Sequence, residues 1–192
     1  MGNFIKTTLA ILGGLALGLF ATWWTLENHV AFGDVRAGSW TGLVSAGTRD
    51  ADPYARALFA KRGETPIGIT EGLSFLSETD QAGEPLRANC DYVVTGNIPA
   101  ARYWTLTLLG ANGHVLPVSS ERYGFTSAEL LRKGDGSFEM IISSEARAGN
   151  WLQSAAGHDF QIMLRLYDTS LSASASSVTA PSMPRIERGR CA

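Results

Sequence analysis

The longest apolar segment of the chain covers residues 7–26, which are twenty residues without a charged side chain. A helix of that length rises about 1.5 Å per residue and is roughly 30 Å long, which matches the hydrocarbon core of a bilayer. Trp23 and Trp24 lie near its end, and tryptophan is favoured at the membrane–water interface. A cleaved signal peptide is the alternative, but its apolar part is usually only about 7–15 residues long. The pattern therefore predicts a retained transmembrane helix over residues 7–26.

The charges around this helix predict its orientation. Residues 1–6 contain Lys6, and no other basic residue occurs before Arg36. Because basic residues are retained in the cytoplasm, we expect residues 1–6 there and the remaining chain on the periplasmic side of the inner membrane. Gly14 and Gly18 form a small-xxx-small pair, which allows close approach of a second membrane helix. Helix pairing is one expectation, and the general abundance of glycine in membrane helices is the alternative.

Beyond residue 64 the pattern changes to short apolar segments that alternate with polar positions and end at turn residues. The clearest alternation places Trp104 and the two leucines that follow it in register on one face and Tyr103, Thr105 and Thr107 on the other. An Asn112-Gly113 hairpin turn follows. Other strands are predicted at 73–76, 90–95, 115–118, 138–143 and 160–167. These elements predict a mainly β domain, an antiparallel β-sandwich or jelly-roll-like fold with one or two short helices.

Two helical segments are predicted in addition to the apolar one. Asp52 is suited to accept hydrogen bonds from free backbone amides, Pro53 fits the first helical position, and Gly63 ends the segment. Ser127 is expected to begin a short helical turn whose buried side carries Leu130 and Leu131.

The chain is therefore expected to consist of five segments. Residues 1–6 are the cytoplasmic N-terminus, 7–26 the transmembrane helix and 27–64 a juxtamembrane segment without a clear period apart from the short helix. The β-rich domain covers 65–168, and 169–192 form a Ser/Ala/Pro-rich tail that crosses the surface.

Composition narrows the class of partner. After residue 26 there are 15 Lys and Arg against 18 Asp and Glu, a net charge of −3, and no basic run is present. This argues against nucleic acid as a partner. Cys90 and Cys191 are the two cysteines, and an oxidising compartment favours a disulfide between them, with two free thiols as the alternative.

The search for chemistry finds no catalytic motif. His29, His114 and His158 are scattered without partners at metal-ligand spacing. A nucleophile elbow, a phosphate-binding loop and a dinucleotide fingerprint are absent from the sequence. We therefore predict no catalytic residue, no metal site and no cofactor.

One set of polar residues supports a ligand hypothesis. The faces opposite the apolar positions of the predicted strands carry polar and aromatic side chains: Asp91, Tyr103, Thr105, Thr107, Arg165 and Tyr167. If these strands are neighbours, their polar faces form a surface that holds a small ligand by hydrogen bonds and ring stacking. The alternative is an ordinary solvated face of a sheet.

Several short motifs occur in an order that resembles a known family. They are Trp104 in its Tyr-Trp-Thr-x-Thr strand, Asp135-Gly136, Asn150-Trp151-Leu152 and Arg165-Leu166-Tyr167. Over residues 65–168 the chain resembles the bacterial domain of unknown function 1214, which often forms the C-terminal half of larger envelope proteins that also carry the domain of unknown function 1254. The resemblance implies a β-rich, jelly-roll-like fold and an envelope location, and it implies no catalytic residue.

The chain departs from this pattern at several positions. The family usually has proline after Asn-Trp-Leu, where this chain has Gln153, and a Tyr-Asp pair where it has Leu109-Gly110. We expect a short, anchored, single-domain branch without the 1254-type partner. The Asn-Trp-Leu motif is expected to be a corner, in which Asn150 binds turn backbone and Trp151 closes the sandwich end. The alternative for Trp104 or Trp151 is the stacking of a sugar ring.

Together these patterns predict a non-catalytic, anchored envelope domain that binds a protein partner or a small ligand outside the cytoplasm. The alternative function is an enzyme, or an accessory to one, that acts on a glycan or small envelope substrate through the polar face of the sheet.

Overall fold

The computed structural model describes residues 2–27, 34–43, 46–155, 157–171 and 182–191. His29 and residues 172–181 of the predicted tail lie outside these residues. Within the described ranges, two α-helices occur, α1 (Gly2–Glu27) and α2 (Pro53–Arg62). The first five strands are β1 (Asp34–Ala37), β2 (Trp40–Leu43), β3 (Gly72–Ser77), β4 (Cys90–Gly96) and β5 (Ala101–Gly110). The others are β6 (Gly124–Thr126), β7 (Phe138–Ser143), β8 (Asn150–Gln153), β9 (Phe160–Thr169) and β10 (Arg185–Cys191).

The strands form two sheets, which confirms the predicted β-sandwich class. The six-stranded sheet has the order β1-β2-β3-β9-β5-β6, and the four-stranded sheet has the order β10-β4-β7-β8. Neighbouring strands are antiparallel except β7 and β8, which are parallel. The second sheet is therefore mixed.

The core lies between the two sheets and follows the alternation read from the sequence. On β5, Trp104, Leu106 and Leu108 are buried, and they pair with Leu166, Leu164 and Ile162 of β9. The four-stranded sheet contributes fully buried side chains to the same cluster: Tyr92, Val94, Phe138, Met140, Ile142, Leu152 and Ile186. Each strand thus turns one face toward the other sheet and leaves the opposite face for solvent or for α2.

Strands β1 and β2 lie in the juxtamembrane segment 27–64, where the sequence shows no clear period apart from the short helix. They form a hairpin that continues the six-stranded sheet through β3. Trp40 is almost completely buried, and its Nε1 donates a hydrogen bond to the carbonyl of Pro184 at 2.7 Å. Strands of four residues are too short to show a period, and their partners are distant in sequence, so local pattern does not reveal them.

Strand β10 lies in the segment that was predicted to be a surface tail. It pairs with β4, and Ile186 is completely buried in the core. A disulfide joins Cys90 to Cys191 between these two strands, as the sequence predicted. The sheets therefore extend beyond residues 65–168 at both ends, since β1 and β2 precede that range and β10 follows it.

Two predictions after β5 are wrong. Gly113 does occupy a tight turn, with φ +79°, but residues 115–118 make only one isolated bridge between Leu109 and Val115. The strand that pairs with β5 on that side is β6. Ser127 begins a turn rather than a helix, and although Leu130 is buried, Leu131 is 67% exposed.

Helix α2 begins and ends as its sequence predicts. The carboxylate of Asp52 accepts a hydrogen bond from the Ala55 backbone amide at 3.0 Å, and Pro53 is the first helical residue. Gly63 ends the helix in a left-handed conformation, φ +65°, which glycine adopts without steric cost. Ala55 and Leu58 are buried but do not belong to the core between the sheets.

Helix α1 is longer than the predicted span and has no buried residue. Its apolar window has a mean hydropathy of 1.8, which is high enough to cross a membrane. A Cβ added at Gly14 or Gly18 would have no atom within 4 Å, so both positions are open to a neighbouring helix. Glu27, the last residue of α1, forms a 2.7 Å ion pair with Lys61 of α2.

Candidate ligand site

The polar residues predicted on β5 and β9 do come together. The pairing of these strands places Tyr103 opposite Tyr167, Thr105 opposite Arg165 and Thr107 opposite Met163. These side chains lie on the side of the six-stranded sheet that is turned away from the core, which we call the outer face. The rings of Tyr103 and Tyr167 are 6.0 Å apart between centroids. Their role in ligand binding stays a prediction.

A cavity of about 80 Å³ lies between this outer face and the chain segment 59–67. We call it the α2 cavity, because Phe59 of α2 forms part of its wall. Most of its lining residues are apolar, and two are charged. The lining residues are Thr41, Ala46, Phe59, Glu64, Thr65, Pro66, Ile67, Gly72, Leu73, Ser74, Leu76, Met163 and Arg165.

Arg165 is the most unusual residue of the α2 cavity. Its Nε is buried and has no hydrogen-bond partner. Among the residues that the structure describes, none forms a hydrogen bond or an ion pair with its side chain, and this includes Glu64 on the same cavity wall. Leaving a buried donor without an acceptor costs about 1–3 kcal/mol. The cavity wall therefore carries a cationic group whose hydrogen-bonding capacity is free for a ligand.

Strand alternation and one glycine explain how the chain builds this wall. On β9, Leu164 and Leu166 point into the core, so Met163 and Arg165 must point outward. On β3, Ser74 lies opposite Arg165. A Cβ at Gly72 would collide with the carbonyl oxygen of Leu166, so only glycine allows the two strands to approach here.

Asp91 and Trp151 do not join this surface, contrary to the hypothesis that the polar strand faces are neighbours. Both lie on the outer face of the other sheet, because β4 and β8 do not pair with β5 or β9. Asp91 forms a 3.0 Å ion pair with Arg147. A hydrogen bond from the Ser143 hydroxyl and the nearby Arg147 guanidinium lower the pKa of Asp91 below its ordinary value of 3.8.

The two tryptophans singled out for sugar stacking have other contacts. Trp104 is buried in the core, where its ring stacks on Phe138 with a centroid distance of 6.1 Å, so it has no free face for a ligand. Trp151 is half-buried, and its Nε1 donates to the carbonyl of Ser143 at 3.1 Å.

Asn150 binds backbone as predicted, but from a strand rather than a corner. Its side-chain oxygen accepts from the Leu131 amide, and its Nδ2 donates to the carbonyls of Leu131 and Glu139, each at 2.8 Å. These bonds tie β8 and the 131–133 segment to β7. The Asn-Trp-Leu motif is therefore part of the framework.

A second, more open cavity of about 250 Å³ lies beside Leu131, Ile141 and Asn150. Its polar groups already have partners. Lys133 pairs with Glu139 at 2.8 Å, and Arg132 donates to the carbonyl of Gly136 at 3.0 Å. This cavity therefore offers a ligand fewer free hydrogen-bonding groups than the α2 cavity does.

Sequence reasoning missed the residues that cover Arg165, above all Phe59, Glu64 and Ile67. One signal for them was present. Met163 is an apolar side chain on the otherwise polar face of β9, and an apolar residue there indicates that something covers the sheet.

Comparison with known proteins shows which family the sequence matches. The sequence model of the family "Protein of unknown function (DUF1214)" matches residues 71–171, more than half of the chain. The chain belongs to the DUF1214 family. The match begins at the residue before β3 and ends after β9. It therefore contains the two strands that carry Ser74 and Arg165 of the α2 cavity. No curated protein matches the chain.

One solved structure supports the fold of this DUF1214 domain. The crystal structure of the VPA0106 protein from Vibrio parahaemolyticus is similar, with a TM-score of 0.62 and 18% sequence identity. The similarity covers 92% of this chain and 44% of that protein, so the chain spans less than half of its relative's length. An uncharacterized protein from Burkholderia cenocepacia matches with a TM-score of 0.41 and 20% identity, over 62% of this chain and 29% of that one.

Proposed function

We propose that this DUF1214 protein is a single-pass envelope protein whose domain, on the periplasmic side of the inner membrane, binds a small ligand in the α2 cavity. The observation that carries the binding proposal is the unpartnered Arg165 Nε on the wall of a mostly apolar cavity. Apolar walls with a few free polar groups are the usual composition of small-molecule sites.

Two observations support the anchor and its side of the membrane. Helix α1 has no buried residue, so lipid or another membrane helix is needed to remove its exposed apolar side chains from water. The disulfide between Cys90 and Cys191 is of the kind that persists in an oxidising compartment such as the bacterial periplasm. The anchor also restricts the domain to the membrane surface, which raises its effective concentration near membrane-bound partners.

Binding is favoured over catalysis by the chemistry of the cavity wall. Among the described residues, the lining offers the hydroxyls of Thr41, Thr65 and Ser74 but no histidine or cysteine. A hydroxyl nucleophile needs an adjacent base, and among the described residues Glu64 forms no hydrogen bond with any of the three. We therefore assign the cavity a holding role.

The location is tested with two reporters fused to the carboxyl end of the full chain. Alkaline phosphatase folds only outside the cytoplasm, and green fluorescent protein exported by the general secretion route stays dark. We expect active phosphatase, dark fluorescent protein and full-length chain in carbonate-washed membranes. Bright fluorescence would contradict the orientation, and a soluble product that starts beyond Trp24 would contradict the anchor.

The cavity is tested with a screen of small organic molecules against the full-length protein in neutral lipid nanodiscs, read as thermal shift. Ser74→Phe places a ring inside the α2 cavity, and Thr95→Phe places the same ring on the outer face of the four-stranded sheet as a matched control. We expect compounds that stabilise the wild type and Thr95→Phe but not Ser74→Phe. No stabilising compound, or an equal response of Ser74→Phe, would contradict the proposal.

A further inference from the structure

We infer that the ligand of the α2 cavity is a small organic anion, a carboxylate with a short apolar body. This inference rests on the proposed function and adds the chemical class of the ligand. Three features of the cavity support it: the unpartnered Nε of Arg165, the mostly apolar lining and the small volume.

Arg165 requires an acceptor that the described protein does not supply. Arg188, whose Nε is also buried, is engaged, because it ion-pairs with Asp80 and donates to the carbonyl of Pro85 at 2.8 Å. Arg165 has no comparable partner among the described residues. A guanidinium presents its donors in a planar fork that matches the two oxygens of a carboxylate, so a carboxylate satisfies it better than a neutral acceptor does.

The remaining wall selects an apolar body of limited size. Phe59, Pro66, Ile67, Leu76 and Met163 all line the cavity, so most of its wall is apolar. A cavity of 80 Å³ holds roughly five to eight water-sized groups, at about 10–15 Å³ for each. A six-carbon chain or a benzene ring fits this volume, whereas a complete long acyl chain would have to extend past the rim.

Glu64 lies on the same wall and allows a second prediction about the charge of the ligand. An anion in the cavity would be repelled by this carboxylate, and Glu64 forms no described ion pair that would neutralise it. Replacing Glu64 by Gln should therefore strengthen anion binding, whereas a generic loss of packing would weaken it.

The carboxylate has two possible sources, free organic acids in the periplasm and fatty acids in the membrane. The membrane is close, because Lys61 of α2 forms an ion pair with Glu27 at the end of α1. The carboxylate end of a fatty acid and a soluble short-chain acid present the same chemistry to Arg165, so the test contains an arm for each.

The test is calorimetric titration of the full-length protein in neutral phosphatidylcholine nanodiscs with hexanoate, benzoate and their uncharged amides. The variants are Arg165→Gln, Glu64→Gln and, as a matched control, Arg102→Gln, which removes an exposed arginine of β5 outside the cavity. We expect both acids to bind at least about tenfold more tightly than the amides, since a charge-assisted bond of this kind is lost with them. Arg165→Gln should bind the acids at least about tenfold more weakly than the wild type does. Arg102→Gln should bind them with the wild-type affinity, and Glu64→Gln should bind them more tightly.

A second arm adds oleic acid to phosphatidylcholine vesicles and measures its competition with hexanoate. If oleic acid competes with hexanoate, the membrane is a source of the ligand. If it does not compete, the ligand is a soluble acid. Equal binding of acids and amides, or unchanged affinity in a folded Arg165→Gln, would overturn the ligand class. A different result is that the screen yields neutral ligands that Ser74→Phe excludes while neither acid binds. That result would contradict the anionic ligand class but support the proposed function. If neither an acid nor a neutral compound binds, both the ligand class and the proposed function are contradicted.

Discussion

Asn150 and Asp91 show how single polar residues of this domain are committed to structure rather than to a ligand. Asn150 is buried and satisfies three backbone groups, two on Leu131 and one on Glu139. Asp91 lies at the surface of the same sheet and pairs with Arg147. Neither group is available to a small molecule without the loss of these bonds.

Replacing Asn150 by Ala should destabilise the domain. The change removes three part-buried hydrogen bonds, one to an amide and two to carbonyls, and we expect it to cost about 1–3 kcal/mol in the free energy of unfolding. Asn112→Ala is the control, because Asn112 is exposed and accepts one bond from the His114 amide, so its effect should stay below about 1 kcal/mol. Urea unfolding followed by tryptophan fluorescence measures both. Equal effects would show that the Asn150 network does not hold β8.

Replacing Asp91 by Asn should give a pH-dependent loss of stability. The folded-state pKa of Asp91 is lowered, chiefly by the Ser143 hydroxyl and by Arg147, so its ionised form stabilises the protein above pH 3.8. The contribution disappears as the pH falls through the folded-state pKa. Because the side chain is 26% exposed, we expect at most about 1 kcal/mol at pH 7.

Unfolding midpoints at pH 7 and pH 3 measure this difference. Glu145→Gln is the control, since Glu145 also pairs with Arg147 but is 76% exposed. A loss for Asp91→Asn that is as large at pH 3 as at pH 7 would rule out the ion-pair explanation.

Among the elements, β10 is held by contacts with residues that are distant in sequence. It follows a segment outside the described residues, is rich in charged side chains, and is held by pairing with β4, by Ile186 in the core and by the disulfide. A disulfide that closes a loop of this length stabilises a protein mainly by restricting its unfolded chain.

Breaking this disulfide should lower stability by about 2–4 kcal/mol. Cys191→Ser and reduction of the wild type should give the same unfolding midpoint, because both remove one covalent link. Hydrogen exchange should then show the largest loss of protection in β10. Unchanged protection of β10 after reduction would mean that strand pairing alone holds it.

Helix α1 carries the untested expectation of pairing through Gly14 and Gly18. The space beside both glycines is open in the protein, which is what close helix approach requires. Cross-linking in native membranes should yield a dimer that Gly18→Leu weakens, with Leu9→Ile as a control on the opposite face of the helix. A dimer that is unaffected by Gly18→Leu would place the contact elsewhere.

The elements that could be read from sequence are those with enough residues to show a period. Strands β3, β4, β5, β7 and β9 have six to ten residues and alternate clearly, and α2 has both of its caps. Strands β1, β2 and β8 have four residues each, and β10 alternates charged residues with a single buried isoleucine. Their positions follow from distant partners, which a local pattern does not contain.

At the scale of the whole molecule, strand order decides which predicted site residues meet. Tyr103, Thr105, Arg165 and Tyr167 assemble because β5 and β9 are neighbours, whereas Asp91 is separated because β4 belongs to the other sheet. Alternation predicts the face of a strand correctly, but it does not predict the neighbour of that strand. Of the four residues on β5 and β9, only Arg165 lines the α2 cavity, and the packing of residues 59–67 beside it is also a long-range contact that local pattern does not contain.

The central claim is that the α2 cavity is where this DUF1214 protein holds a small ligand. It is tested most directly by photolabelling the full-length protein with a diazirine derivative of hexanoate and mapping the labelled peptides by mass spectrometry. We predict labels confined to residues 59–67 and to the adjoining parts of β3 and β9, with loss of labelling in Ser74→Phe. Labels on the four-stranded sheet around residues 139–153, or undiminished labelling of Ser74→Phe, would contradict the account.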